Sequence, residues 1–358
     1  MGDRIKSFLA VFILLLCFSD TVFSQSLFSI NGTVKNKKGE PIEAATVFLS
    51  GSSQATRTNE AGKFTFTGLS SGSYEVVIRM LGYSSLKENA LINSQSINKM
   101  MVLSQKNIQL NEVQIGKSSK RDDYLKTFFD TFIGVTKNAA FCTIINPEVI
   151  EFSTNGRMLK AYSDEFIIVK NKSLGYKISF LLRDFIYDSS SAITIYDGEC
   201  IFEKLNGTLS QEKKWEKNRL KAYNGSFMHF LRSLYVGNSA GEGFLTYIVD
   251  HTKKTATDSL VDVKQYISKA NGDFRNFSFD PQLKVVYAGK LAIKEVPIQD
   301  FDPFKRSALP TSYVKLFVYE AVIDKKGSYV DYKSFRLEGL WGVFRLGDQL
   351  PFEYMPSD

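Results

Sequence analysis

Histidine, cysteine and proline are scarce in this chain. Its 358 residues include two histidines, three cysteines and eight prolines. A zinc peptidase needs several His and Glu ligands, commonly a His-x-x-Glu pair followed by a later His. His229 is followed by Phe-Leu-Arg, so that pair is missing, and His251 is the only other histidine. The composition therefore excludes a zinc peptidase.

Long apolar runs are equally rare. Phe8–Phe18 has eleven residues, which rise about 16 Å as a helix, whereas a hydrocarbon core is about 30 Å thick. Arg4 and Lys6 precede this run, and Val22-Phe-Ser24 follows it before Gln25. We therefore predict a signal peptide at residues 1–24 and export to the periplasm, the outer membrane or the cell surface. No transmembrane helix is expected in the mature chain.

Strong charge and ligand-binding motifs are missing as well. The net charge of +7 is diffuse, so it does not indicate nucleic acid binding, and it suits ordinary solubility or an anionic envelope surface. The chain has no Cys/His cluster with zinc spacing, no glycine-rich phosphate loop and no calcium loop. We expect neither a metal nor a cofactor.

The mature chain would retain two thiols, Cys142 and Cys200. In an exported protein they can form one disulfide. They can equally be buried small hydrophobic residues. The sequence leaves both arrangements open.

Residues 25–106 contain short segments in which apolar and polar residues alternate, and turn residues separate these segments. Ile30, Gly32 and Val34 alternate with polar residues, and a turn rich in glycine and proline follows at 36–41. A further turn at 56–62 leads into Phe64-Thr-Phe66, and Tyr74–Met80 again places apolar residues on one face. This pattern predicts six or seven strands in an antiparallel β-sandwich.

The same segment resembles the carboxypeptidase-regulatory-like (transthyretin-like) domain. The resemblance is carried by Ile30-x-Gly32-x-Val34, Gly39 with Pro41, Asn59-x-x-Gly62-x-Phe64 and Gly72-x-Tyr74. It implies a structural or interaction domain without catalytic activity of its own.

A polar linker is predicted at 107–121, followed by a second domain at 122–358. This part resembles the uncharacterised C-terminal domain of exported Bacteroidetes-type proteins, through segments such as Phe132-Ile-Gly134 and Leu350-Pro-Phe-Glu-Tyr354. The resemblance implies no activity. Apolar spacing predicts a helix at Asp122–Ile133 and a helical insert near 211–234. The rest favours an α+β domain with an antiparallel meander, with strands predicted at Met158–Tyr162, Glu165–Lys170, Leu174–Phe185, Ala192–Phe202, Val261–Ile267, Leu283–Ala288, Tyr313–Val322 and Ser328–Leu337.

The helical insert contains the candidate binding residues, namely Trp215, Arg219, Tyr223, His229 and Arg232. Apolar residues form one stripe of this insert, and lysines and arginines crowd the other turns. One interpretation is a basic, aromatic-rimmed surface for phosphate or anionic glycan, with the indole of Trp215 as a stacking platform. The other is a core-facing helix with a solvated basic face. Asn224-Gly225-Ser226 is expected to break the helix, with Ser226 capping the next turn.

Gly237-Asn-Ser-Ala-Gly241 matches the Gly-x-Ser-x-Gly motif of serine hydrolases. That motif requires a strand before the serine and a helix after it. Here a predicted helix precedes the serine and the strand-like Phe244–Val249 follows it. The segment is therefore interpreted as a helix-to-strand loop, and no catalytic residue is predicted.

Three functional hypotheses remain. The first is a non-enzymatic exported cell-envelope protein that binds a partner protein or a glycan through its second domain. The second is a hydrolase or other enzyme with its site around His229 and Arg232. The third is a structural component of an outer-membrane export or uptake assembly. The enzyme hypothesis requires His229 to face a pocket with two or more carboxylates within hydrogen-bond reach.

Overall fold

The computed structural model describes residues 27–106, 120–249, 260–289, 309–331 and 333–356. The predicted signal peptide, most of the predicted linker and His251 lie outside these ranges. Within them, no helix combines the length and apolar character needed to cross a bilayer.

The N-terminal part forms a β-sandwich. Sheet β4-β1-β7 packs on sheet β3-β2-β5-β6, and the side chains between them form one apolar core that includes Ile30, Val34 and Phe64. The strands are β1 Phe28–Asn36, β2 Thr46–Leu49, β3 Ala55–Arg57, β4 Lys63–Leu69, β5 Gly72–Arg79, β6 Leu86–Ile92 and β7 Ile97–Leu103.

The predicted mainly β fold is thus confirmed, with one difference in strand direction. β1 and β7 run parallel, whereas the other strand pairs of the sandwich are antiparallel. The chain passes from β6 in one sheet to β7 in the other, and β7 then joins the free side of β1. Alternation within single strands carries no information on this crossover.

The next region is a six-stranded antiparallel sheet covered on one face by a helix. Helix α1, Arg121–Phe128, continues as a π-helical turn at Phe129–Ile133. Strands β11 and β10 pair with successive halves of the long β12, and β13 pairs along its other side. The rings of Phe128 and Phe132 from the helix meet those of Phe185 and Phe180 of the sheet edge to face, with centroids 4.8 and 4.9 Å apart respectively. The strands are β8 Cys142–Ile144, β9 Glu151–Asn155, β10 Met158–Tyr162, β11 Phe166–Asn171, β12 Tyr176–Asp188 and β13 Ile193–Lys204.

The helical insert consists of α2, Leu209–Tyr223, and α3, Phe227–Tyr235. Thr208 and Gln211 form a capping box at the start of α2. Ser226 caps α3 by accepting a hydrogen bond from the backbone N–H of His229 at 3.1 Å. The predicted break between the two helices is confirmed.

Two further antiparallel sheets complete the chain, β14-β17-β18-β20 and β15-β16-β19. They surround a second apolar centre with α3 and Trp341. The described residues after 120 therefore form several sheets around two main apolar centres. The elements are β14 Phe244–Ile248, β15 Ile267–Lys269, β16 Phe274–Phe277, β17 Leu283–Tyr287, β18 Thr311–Leu316, β19 Ala321–Asp324, β20 Phe335–Gly339 and helix α4 Leu340–Val343.

Three predicted strands were wrong. Among the described residues of the predicted strand Ser328–Leu337, only 335–337 belong to a strand, β20, and Tyr329 forms a single bridge with Ile323. Tyr313–Val322 divides into β18 and β19, which belong to different sheets, and the exposed Phe317 and Tyr319 lie in the turn between them. Most of Val261–Ile267 forms a 3-10 turn at Val263–Tyr266. Local spacing does not separate these segments from continuous strands, because none of them contains a glycine or proline that would mark a turn.

Candidate binding site

Trp215 is held inside the protein. Its indole N–H donates to the carbonyl of Lys172 at 2.9 Å, and the side chain is 7% exposed. The ring lies so close to Gly175 and Gly207 that a Cβ at either glycine would come within 2.5 Å of it. The ring is therefore closed off by its own neighbours, and an exposed stacking platform does not fit this geometry.

Arg219 and Tyr223 also make internal contacts. The Arg219 guanidinium donates to the carbonyls of Leu174 at 2.7 Å and Gly175 at 3.2 Å, and it lies 4.3 Å from the ring centre of Tyr176. Tyr223 is 6% exposed. These contacts fix α2 to the six-stranded sheet.

His229 is buried at the start of α3, where both ring nitrogens have partners. Nδ1 accepts from the backbone N–H of Gly225 at 3.1 Å, and Nε2 lies 3.2 Å from a carboxylate oxygen of Glu242. Because Nδ1 is an acceptor, the proton resides on Nε2 and faces Glu242. The ring packs against Tyr223 and Phe244, with centroids 4.7 and 4.9 Å away. Such a histidine stabilises the fold.

Arg232 is 8% exposed, and its guanidinium binds three backbone carbonyls. It donates to Lys326 at 2.8 Å, Phe352 at 3.0 Å and Tyr354 at 2.8 Å. Arg232 thus ties α3 to the 324–328 turn and to the C-terminal segment. The structure brings Tyr223, His229 and Arg232 together in one buried cluster, while Trp215 and Arg219 lie against the six-stranded sheet.

The large cavity among the described residues lies elsewhere, between the β-sandwich and the rest of the chain. This open space of about 1230 Å³ is called the interdomain cleft. Arg232 is the one predicted site residue that lines it. The sandwich contributes Ser52, Gln54, Tyr74, Glu75 and Lys87, among others; β12 and β13 contribute Phe180, Tyr196, Asp197, Gly198 and Cys200; and later segments contribute Lys325, Lys326, Tyr329, Asp331, Phe352 and Glu353.

The sandwich reaches the cleft with the outer face of sheet β3-β2-β5-β6. Phe48 and Val77 on this face form a small apolar cluster with Ile201 of β13 and the half-buried Phe166 of β11. The ring centroids of Phe48 and Phe166 are 5.7 Å apart. This cluster anchors the sandwich on the outer face of the six-stranded sheet.

Charged residues continue the contact beside that cluster. The ammonium group of Lys87 lies 3.7 Å from Glu75, 3.4 Å from Asp197 and 3.1 Å from Glu199. Arg183 approaches the fully buried Glu199 to 2.7 Å. Burial is the main cause that raises the pKa of Glu75, and the Lys87 charge opposes it. The network therefore spans the interface, with more carboxylates around Lys87 than it can neutralise alone.

A second polar contact involves the 324–328 turn. The buried Asp324 carboxylate accepts from the backbone N–H of Ser73 at 2.8 Å, and Lys326 donates to the Ser73 carbonyl at 2.8 Å. Burial lowers the pKa of Lys326, although Asp324 favours its charged form. A Cβ on Gly72 would lie 2.5 Å from the Lys326 ammonium, so glycine permits this close approach.

The loop after β2 makes the third contact. Gly51 donates to the carbonyl of Cys200 at 2.8 Å, and Phe202 donates to the carbonyl of Ser52 at 2.8 Å. Phe352 donates to the carbonyl of Gly51 at 2.9 Å. These bonds close one end of the interdomain cleft. The sequence predicts a turn after β2, but no motif indicates that this turn contacts β13 and the C-terminal segment.

Two other sequence features have structural explanations. Gly237–Gly241 connects α3 to β14, as the helix-to-strand interpretation predicted. Cys142 and Cys200 are free thiols that are each 7% exposed, and burial raises the pKa of each to about 12. Within the described ranges, no group of three His, Cys, Asp or Glu side chains is arranged to hold a metal ion.

Comparisons with known proteins support the N-terminal assignment. The family model of the CarboxypepD_reg-like domain matches residues 30–115. Among curated proteins, none matches the chain. The resemblance of residues 122–358 to the C-terminal domain of exported Bacteroidetes-type proteins stays a prediction.

Solved structures with partial similarity come from several kinds of protein. The minor pilin GBS52 of Streptococcus agalactiae is 14% identical with a TM-score of 0.21, and the match covers 23% of this chain and 46% of that one. A 3-chlorocatechol 1,2-dioxygenase of Rhodococcus opacus 1CP is 12% identical with a TM-score of 0.20, covering 24% and 62%. A type II cohesin–X-dockerin complex of Acetivibrio cellulolyticus is 16% identical with a TM-score of 0.21, covering 28% and 71%. Each likeness is limited to about a quarter of this chain and indicates no function. The family match and the sandwich geometry together show that the chain carries an N-terminal CarboxypepD_reg-like β domain.

Proposed function

We propose that this is a non-enzymatic, exported cell-envelope protein that binds a segment of a partner protein in the interdomain cleft. The observation that carries the proposal is the difference in solvent access between the interdomain cleft and the predicted binding residues of the helical insert. The cleft offers about 1230 Å³ with lining residues from three parts of the chain, whereas Trp215, Tyr223 and His229 of the helical insert are buried in internal contacts. Concave sites between domains are frequent places for ligands.

The chemistry of the lining favours a polypeptide over a glycan. Both signs of charge are present, with five acidic residues, Glu75, Glu88, Asp197, Asp331 and Glu353, and four basic residues, Lys87, Arg232, Lys325 and Lys326. Apolar side chains such as Phe180, Val330 and Phe352 lie between them. A polypeptide supplies charges of both signs and apolar groups, whereas a neutral glycan supplies no charge and an anionic glycan supplies negative charge alone.

The geometry at His229 supports binding rather than hydrolysis. A catalytic histidine needs a proton-transfer partner and an accessible substrate position. His229 contacts the Glu242 carboxylate through one ring nitrogen and the Gly225 backbone N–H through the other, and it does not line the interdomain cleft. These contacts orient the ring and use both nitrogens.

Export is the part of the proposal that rests on residues 1–24 alone. We expect the protein made in its own cells to begin near Gln25 and to fractionate with the envelope. N-terminal sequencing of the envelope fraction checks this, and an intact N-terminus in the soluble cell interior would contradict it.

Parallel screens test the binding partner. The mature chain, residues 25–358, is exposed to a displayed library of random dodecapeptides and to a glycan array. We expect enrichment of peptides and no glycan signal above background. Glycan binding without peptide enrichment would show that the ligand is a glycan and contradict the proposed protein partner. The absence of binding in both screens would contradict the proposal as a whole. The whole mature chain is required, since the sandwich forms one wall of the cleft.

A further inference from the structure

The edge of strand β13 continues into the interdomain cleft. β13 pairs with β12 along one side, and its other side is the edge of the six-stranded sheet. Tyr196, Gly198 and Cys200 on this strand line the cleft. No described residue outside β12 makes a backbone hydrogen bond to Ile193–Gly198. An unpaired strand edge is a template for another extended chain.

The protein already uses one end of this edge in that way. At Cys200–Phe202 the loop after β2 binds the edge through the Gly51 N–H and the Ser52 carbonyl, and Ser52 and Ile201 form a one-residue parallel bridge. The groups of β13 that take part are the Cys200 carbonyl and the Phe202 N–H. Since backbone groups alternate in direction along a strand, the N–H and C=O of Tyr196 and Gly198 point to the same free side.

The outer face beside this edge exposes apolar side chains bordered by acidic ones, since Asp188 lies opposite Ile193 and Asp184 lies opposite Asp197. Ile193 and Ile195 are 51% and 65% exposed, and the half-buried Ile186 of β12 lies opposite Ile195. A chain added at the edge would place alternate side chains next to these residues, because all side chains on one face of a sheet follow a period of two. The other alternate side chains would face the cleft lining at Tyr196 and Phe180.

We propose that the partner segment binds by β-strand addition to residues 193–198 of β13, with the 50–53 loop limiting its length. The segment is extended and carries apolar side chains at alternate positions. This inference rests on the proposed function, because it specifies how a peptide sits in the interdomain cleft. Main-chain hydrogen bonds would supply affinity, and the alternate side-chain contacts would supply specificity.

The test uses the strongest dodecapeptide from the displayed library as the probe. Each residue of the peptide is N-methylated in turn, and the Kd for the mature chain is measured for every variant. Strand addition predicts that Kd rises about tenfold at every second position, since each loss removes one main-chain hydrogen bond, and stays nearly unchanged between them. Amide hydrogen exchange of 193–199 should slow when the peptide binds. Exchange of β9, the opposite edge of the same sheet, should not change.

A probe that binds with no period-two pattern, or without protection of 193–199, overturns strand addition and leaves peptide binding standing. If no peptide binds the mature chain in the screen, the proposed function fails, and strand addition fails with it. The two failures are therefore distinguishable. Protection of β9 in place of 193–199 would move the binding site to the wrong edge and also overturn the inference.

Discussion

The helical insert and the interdomain cleft differ in how clearly the amino-acid sequence indicates their residues. The insert concentrates aromatic and basic residues within about twenty-five positions, and its side chains close on each other and on the neighbouring sheets. The cleft draws on segments more than two hundred residues apart, such as Ser73 and Lys326, and none of them stands out alone. The cluster of aromatic and basic residues in the insert forms a centre of internal packing. The interdomain cleft, by contrast, arises where separate parts of the chain meet.

Arg232 is common to both regions, and its removal should have the largest effect. Arg232→Ala leaves the carbonyls of Lys326, Phe352 and Tyr354 without their donor at partly buried positions. We expect the free energy of unfolding to fall by about 3 kcal/mol, because an unsatisfied acceptor costs about 1 kcal/mol at the lower end of the range for buried groups. Urea unfolding measures this. Arg336→Ala, at an exposed pair with Glu338, is the control and should change it by less than about 0.5 kcal/mol. Equal effects would show that the three carbonyls do not depend on Arg232.

Replacement of Lys87 tests the charged part of the interface. Lys87→Met leaves Glu75, Asp197 and the buried Glu199 close together with one guanidinium, that of Arg183. A loss of about 2–3 kcal/mol is expected, since a buried carboxylate loses a cation. Lys99→Met removes the partly exposed pair with Glu88 and should cost about 0.5 kcal/mol. If both variants melt alike, the interface does not depend on the Lys87 network.

Two glycines with nearly the same backbone conformation separate docking from backbone strain. Gly51 has φ of 72° and a Cβ there would lie 2.5 Å from the Phe352 ring, whereas Gly68 has φ of 71° and open space. Both alanine variants carry the left-handed strain of about 1 kcal/mol. Gly51→Ala should cost about 1–2 kcal/mol more, because its methyl group overfills the contact with the C-terminal segment. Thermal unfolding of the two alanine variants checks this. An identical loss of stability in both would mean that the Phe352 ring moves aside at no energetic cost.

The pH dependence of stability gives the smallest of these effects. A carboxyl group whose pKa is raised in the folded protein takes up protons on folding, so its contribution to stability is present at low pH and is lost as pH rises through that pKa. The raised pKa of Glu75 therefore predicts that its contribution grows between pH 7 and pH 5. Glu75→Gln should reduce this increase, leaving the part due to Asp348, whose pKa burial also raises. Melting curves at both pH values measure the difference, and an unchanged increase would exclude Glu75 as its source.

Local patterns predicted the fold well where one segment determines its own structure. The alternation at Ile30–Val34, the break at Asn224–Ser226 and strands β10 to β13 of the six-stranded sheet follow from spacing and capping, whereas the short edge strands β8 and β9 were not predicted. The parallel pairing of β1 with β7 and the division of Tyr313–Val322 depend on distant partners, which local spacing does not reveal. The cleft belongs to this second class, because the close approaches at Gly51 and Gly72 involve residues far along the chain.

Filling the interdomain cleft tests the central claim most directly. Gln54 lines the cleft, and Gln54→Trp would occupy it from the sandwich wall. The matched control reverses charge on the exposed face of α2 by Lys213→Glu with Lys217→Glu. Isothermal titration with the selected dodecapeptide should show binding lost by at least about tenfold in Gln54→Trp and unchanged in the control, with both variants retaining the parental melting temperature. Binding that survives Gln54→Trp and disappears on charge reversal would place the site on the helical insert and contradict the account.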